Sequence, residues 1–516
     1  MVKKKLLSAT LVAVTVCSMI FTGCGSSAEN TGNDTGKTDT GAQAGNTADD
    51  VEKPEKITIM VDGTFTQLAD GQEEWVNKWE ELTGIELEVI QPDHNAYYDV
   101  LGQTFASGPE NWPDVVILGS SYYSGYAGEG ALWDMTDAWN NSELKKNPKT
   151  DVSVVEGNML DGHLYGLALS GGGGCMTFVR KQWLDNCGLD IPTTYEEYLE
   201  MLDAFSNGDP DGDGINGNTI GVSAAGFVGN EAPYTNYLPE FYQDAYPSFY
   251  QGEDGVWRDG FTEDSMKEAI KRLQNAYSKG YIDKESLTNA TSNCRTKFME
   301  GEFGAFTYWA GGWADTMSEG LIANGLDGEL VFMPPIAELG KYWQRCAPVY
   351  AITSSCKNPE GVFKYFLESI FDDGDMETLW SYGVEGVHWS RQAETVCGNT
   401  YQDGEFHMLE MRSQPGVQYG GGIIGNDNIC PLTEKLMPVK KYTEESMEIF
   451  NANNKTAPLP VTTDMMSQYN GDLTSLKNSI IADCVVQGVS VEEGYKRFEQ
   501  EGGAEWSQAI VDSLNK

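Results

Sequence analysis

The 516-residue sequence predicts an α/β fold, and three observations carry that expectation. Short apolar runs at 56–61, 85–90 and 113–118 read as strands. Stretches of helical periodicity stand between them, the pattern of βαβ units and a mostly parallel sheet. Hydrophobic residues make up 40% of the chain, with 13 Trp, 25 Tyr and 19 Phe, too many for a disordered polymer and enough for two or more domains.

The elements follow in order. Lys56-Ile57-Thr58-Ile59-Met60-Val61 is a strand closed by the turn signal Asp62-Gly63. Trp75, Trp79 and Leu82 then fall at i, i+4 and i+7 on one helical face, which marks both indoles as core, and Gly84 supplies the stop. Residues 85–90 alternate with period two, as a half-buried strand does. A helix near 97–105 leads to Pro113-Asp114-Val115-Val116-Ile117-Leu118, a buried-strand run with Trp112 at its amino end. Residues 164–169 are strand-like and run into four glycines, 171–174, before another strand at 176–180. Trp183 belongs to a helical run and reads as packing. An amphipathic helix from 194 to 205 opens on a capping Thr194. The last third is helix-rich, including 444–450 and 491–498.

Charge and the first fifty residues bound the setting. Against 34 Lys and Arg stand 78 Asp and Glu, a net charge of −44 that repels a polyphosphate and excludes non-specific nucleic-acid binding. Lys3, Lys4 and Lys5 precede an apolar run from Leu6 to Phe21, the make-up of a secretory leader and short of the ~20 residues that span a bilayer. The run ends in Phe21-Thr22-Gly23-Cys24, which resembles a bacterial lipobox with Phe21 where Leu is usual. That resemblance implies a signal peptide at 1–23 and acylation (palmitate) of the Cys24 sulfur. Residues 24–50 hold no aromatic or large aliphatic side chain and read as a flexible tether. The expectation is a lipid-anchored, otherwise soluble chain on the extracytoplasmic face of a bacterial membrane. Eight further cysteines, at 175, 187, 294, 346, 356, 397, 430 and 484, permit disulfides without fixing their pairing, and no CxxC is present.

Read in order, the segments "WEELTGIELEV", "PDVVIL", "DGHLYGLAL", "VRKQWLDNCGLDIPTTYEEYLE", "FMEGEFGAFTYWAGGW" and "YGVEGVHWS" resemble the family 1 solute-binding lipoproteins of bacterial ABC importers, the large oligosaccharide-binding branch. The resemblance implies two α/β lobes joined by a hinge of crossing segments, a ligand cleft between them, and a monomer that delivers an oligosaccharide to ABC permease subunits. On that frame the lobes are expected at 51–170 plus 305–360 and at 171–304 plus 361–516. The crossings would then lie near 170–174, Gly304 and 355–370.

Open α/β sheets bind ligands beyond the carboxyl ends of their strands. Thr64 and Phe65 follow the first strand, and Tyr122, Tyr123 and Tyr126 follow the 113–118 strand. A sugar offers an apolar C–H face to an aromatic ring and a rim of hydroxyls to polar groups. Trp309 and Trp313, in Thr307-Tyr308-Trp309-Ala310-Gly311-Gly312-Trp313, are candidates for that face, with core packing as the competing reading. Glu385 and Trp389 lie on a glycine-flanked loop, against which a solvated turn competes. The histidines at 94, 163, 388 and 407 are scattered.

Asp209, Asp211 and Asp213 stand at positions 1, 3 and 5 of an EF-hand-like loop with Gly214 at 6 and the Ile215 carbonyl at 7. The twelfth position is Ile220 instead of a bidentate Glu, and Asn218 stands nearest the missing ligand. The loop predicts a structural Ca²⁺; a turn-rich acidic loop competes. No GxSxG, HExxH or Walker A pattern occurs, so a non-enzymatic receptor leads. A secreted, lipid-anchored glycoside hydrolase or polysaccharide lyase is the alternative, since two carboxylates leave no motif.

Overall fold

The computed structural model describes residues 51–61, 71–93, 96–169, 171–227, 238–371, 374–396, 399–409, 440–456 and 459–516. The leader at 1–23, the tether with Cys24, and also Thr64, Phe65, His94, Ser170, Cys397 and Cys430 lie outside the described residues.

The strands that position the site are, in chain order, β1 (Lys56–Met60), β2 (Glu86–Ile90), β3 (Val115–Leu118), β4 (Cys175–Arg180), β5 (Ile220–Ser223), β6 (Phe303–Trp309), β7 (Leu330–Phe332), β8 (Tyr342–Gln344), β9 (Val349–Ile352) and β10 (Asn454–Thr456). They form two four-stranded sheets, ordered β9-β3-β1-β2 and β5-β6-β4-β7, and a separate pair, β8 with β10. In the first sheet β1 runs parallel to β2 and β3, and β9 closes the edge antiparallel, Val349 facing Leu118. In the second, β5 and β6 are parallel, but β4 is antiparallel to both its neighbours, Cys175 opposite Trp309 and Phe178 opposite Phe332. The α/β class holds; the second sheet is mixed where a mostly parallel one was expected.

Each sheet has its own core. Ile57, Ile59, Val116 and Tyr350 pack with Trp75, Trp79 and Trp380 in the first, and the Trp75 indole donates to Leu379 O at 3.0 Å. Phe178, Trp183, Leu202, Phe205 and Phe306 anchor the second. The Gln72–Thr83 helix ends at Gly84 in the left-handed conformation, φ 66°, and the Tyr195–Asn207 helix opens on a capping box between Thr194 and Glu197. By contrast the 164–169 run forms no ladder and touches the first sheet through one bridge, Leu167 to Tyr350.

The lobe boundaries need correcting. Residues 303–309 form β6 between β5 and β4, so the 305–332 segment belongs to the second core and not the first. Conversely Val362, Phe363, Phe366, Leu367, Met376 and Trp380 fill the first core, so 361–380 does not belong to the second lobe. Gly304 is no crossing: it lies inside β6, where a Cβ would meet Trp183 and Phe205 at 2.4 Å. Nor is 355–370. Two crossings between the cores are 171–174, which leads from the first core into β4, and 345–348, which leads back into β9.

These two crossings run against each other. A Cβ on Gly172 would sit 2.1 Å from Arg345 O and one on Gly174 2.7 Å from Trp343 O, which is why the run is glycine. The Arg345 N–H donates to Gly173 O at 3.1 Å and its Nε to Gly172 O at 2.7 Å. Farther along, Leu459 and Val461 pack on the first core while the Asp464–Gln487 helix packs on the second. No described helix is long and apolar enough to cross a membrane.

Candidate functional site

At the carboxyl end of β3 the chain turns through Gly119 into the Ser120–Gly128 helix. Tyr122 stands out from its first turn, 41% exposed, with its ring stacked on Tyr98 at 3.8 Å and 6°. The Tyr98 hydroxyl accepts the Gly119 N–H at 2.8 Å, so the lower ring is pinned and the upper one forms a rigid platform. Tyr123 points the other way. It is 1% exposed, donates its hydroxyl to Asn158 O at 2.9 Å and accepts the Tyr165 N–H at 3.1 Å. That is a core tyrosine, and the expectation of a ligand contact there is corrected. Tyr126 stacks on Phe105 at 4.3 Å.

At the carboxyl end of β6, Trp309 is half-buried against the second core, with the Arg345 guanidinium 4.4 Å from its ring centroid. Beside Arg345, Trp343 on β8 donates its indole N–H to Ala245 O and lies 4.5 Å from Tyr246. Lys455, its partner across the β8–β10 pair, holds its ammonium 4.0 Å from the Trp343 ring. Sequence reading missed Tyr98, Trp343, Arg345 and Lys455. The "YWQR" run was visible, but its pairing with a segment 112 positions away had no local signal.

Trp313, at the start of the Gly312–Ala323 helix, is partly packed on the second core: Arg295 lies 4.8 Å over its ring and Tyr308 meets it edge-on at 5.1 Å. Glu385 is exposed and bridged to Trp389 within one loop, where Gly386 N donates to Trp389 O at 2.7 Å. Trp389 is half-buried, stacked on Phe406 at 5.1 Å with its N–H on Gly383 O. His388 is buried, and its Nδ1 accepts the Val384 N–H at 2.9 Å. This loop packs on Gly71, where a Cβ would meet Val387 at 2.6 Å. The structure thus unites Glu385 with Trp389, and Trp309 with the crossings, while Tyr122 belongs to the other sheet.

In the acidic loop, Asp209, Asp211 and Asp213 each bring a carboxylate oxygen within 4.8 Å of the others. Asp209 Oδ2 accepts from Gly214 N at 3.0 Å, but its buried Oδ1 has no partner. Asp213 accepts from Ile215 N at 2.7 Å and from the Asn218 amide at 2.8 Å, while the Ile215 side chain is 57% exposed. Three converging carboxylates with one buried oxygen unsatisfied fit a hard, oxygen-seeking cation. Among the described residues Cys187, Cys294, Cys356 and Cys484 are free thiols.

Two core-bearing α/β sheets with aromatic platforms beyond their strand ends describe a two-lobe binding protein. Residues 62–366 match the bacterial extracellular solute-binding protein family, and the chain belongs to it. Among relatives, it is similar to lipoprotein LipO of Bacillus subtilis (strain 168), 24% identical over 85% of this chain and 87% of that one. Its fold is that of an extracellular solute-binding protein from Bifidobacterium longum subsp. infantis, TM-score 0.65 at 17% identity, covering 91% of this chain and 100% of that one. It is also that of the Streptococcus pneumoniae ABC-transporter substrate-binding protein FusA, solved as an EF-hand mutant with fructo-nystose. There the TM-score is 0.59 at 16% identity, over 89% of this chain and 99% of that one.

Proposed function

We propose that this chain is the receptor of an ABC importer that captures an oligosaccharide between its two lobes without turning it over. The observation that carries this is the Tyr122–Tyr98 stack, an exposed aromatic face fixed at the carboxyl end of β3. Trp309, at the end of β6, supplies the facing ring, and Trp313, Glu385 and Trp389 extend the lining, with Thr64 and Phe65 after β1 completing it. The sugar bound to FusA supports the ligand class. Ligand touching both lobes stabilises the closed state, and closure presents the surface that membrane permease subunits recognise. The chain works as a monomer outside the cytoplasm, held to the membrane by an acylated Cys24 once the signal peptide at 1–23 is removed. Asp209, Asp211, Asp213, the Ile215 carbonyl and Asn218 hold a structural Ca²⁺ away from the ligand.

Calorimetry of residues 25–516 against neutral and acidic oligosaccharides, with each ligand analysed for cleavage afterwards, tests the proposal. One-to-one binding of intact ligand, weakened at least tenfold by Trp309→Ala, is expected. Turnover would overturn it in favour of a hydrolase or lyase.

A further inference from the structure

Trp343, on β8, and Arg345, at the start of the return crossing, sit two residues apart, and each brings an indole together with a cation. Lys455 lies 4.0 Å over Trp343 and Arg345 lies 4.4 Å over Trp309. In a chain of net charge −44, two cations each laid over an indole near the meeting of the crossings need a reason. Lys455 also lacks a dedicated counter-ion: among the described residues no carboxylate pairs with it, and its ammonium donates to a neutral acceptor, Gln243 O, at 2.7 Å. The titratable groups in its field are Asp244 and Lys341, and Asp244 is already paired with Arg272. Arg345 is fixed to the opposite crossing through Gly172 O. A half-buried ammonium against an aromatic face, with its nearest acid committed elsewhere, is stabilised when a bound anion arrives.

We propose that the glycan bound here carries a carboxylate, a uronate-type oligosaccharide, and that Lys455, with Arg345 beside Trp309, reads that charge. This rests on the cleft being a glycan site. A guanidinium and an ammonium flanking two stacking indoles offer a uronate both halves of its chemistry: the apolar ring face and the carboxylate. A neutral sugar would satisfy the indoles and leave the ammonium as it is. Burial lowers Lys455 to about 8, so an anion docking beside it draws a proton onto the protein near that pH.

The test holds ligand shape constant and changes only charge. Tetragalacturonate, its methyl ester and a glucuronate-containing tetramer are titrated by calorimetry, beside neutral fructo-, malto- and xylo-oligosaccharides. The account expects an acid to bind at least tenfold tighter than its ester or the neutral panel. Lys455→Met removes that preference, so that acid and ester then bind within about twofold of each other. At pH 8, acid binding is accompanied by proton uptake, seen as a dependence of the heat on buffer ionisation enthalpy, and Lys455→Met abolishes it. A neutral oligosaccharide bound tightly and indifferent to Lys455→Met would overturn the charge assignment and leave the glycan receptor standing. No binding to any member would overturn both readings.

Discussion

Tyr122 and Tyr123 are neighbours with opposite fates, because consecutive helical positions point about 100° apart. Tyr122→Ala is expected to weaken glycan affinity about tenfold, the ~1.5 kcal/mol of one stacked sugar face, at unchanged melting temperature. Tyr123→Phe is expected to do the reverse: it strands Asn158 O and Tyr165 N, costing about 1–3 kcal/mol in denaturant unfolding at unchanged affinity. The sequence marked both tyrosines as following a strand end but could not say which faced the core. Glu240 is a second residue with a legible consequence. It is fully buried against Tyr198 and Tyr342, and burial pushes its carboxyl up to about 7, with the Thr177 hydroxyl opposing. Between an unfolded value near ~4.3 and the folded value near 7, the native state holds the extra proton. Stability therefore falls as pH rises through that window and levels off above it. Urea unfolding from pH 4.5 to 8 should show that slope, and Glu240→Gln should flatten it; an unchanged slope in the variant would contradict the assignment.

Among elements, those specified by neighbours in sequence were legible and those specified by distant partners were not. The Thr194 cap and the Gly84 stop are local chemistry and appear where the sequence put them. β6 is different. Its residues 303–308 are all buried, so no alternation reveals a face, and nothing in Phe303–Trp309 says which sheet it joins. The lobe boundaries failed at that strand and again at 361–380, whose helical turns pack back on the first core. The glycine run was expected from the sequence as a crossing, and the reason for its glycines emerged only with Arg345 against it. Gly172→Ala would drive a methyl to 2.1 Å from a backbone oxygen, so one crossing must move. The expected result is a lower melting temperature together with weaker ligand binding, since the two crossings set the lobes' closure. A variant with both properties unchanged would show that the contact does not constrain the hinge.

For the whole molecule, two couplings should be separable. The acidic loop proposed to hold calcium lies in the second lobe, between the Tyr195–Asn207 helix and β5, so chelation is expected to lower the melting temperature and leave glycan affinity nearly unchanged. At a hundredfold excess over its dissociation constant the ion would contribute about 2.7 kcal/mol. Indifference to chelator, with no metal found on analysis, would remove the ion. Glycan, in contrast, should act on both lobes at once. Small-angle scattering of residues 25–516, with and without the oligosaccharide selected by calorimetry, measures this most directly. The account predicts a smaller radius of gyration on saturation, reversed when ligand is dialysed away and absent in Trp309→Ala at the same ligand concentration. A saturated protein whose radius of gyration does not change would contradict capture by closure of two lobes.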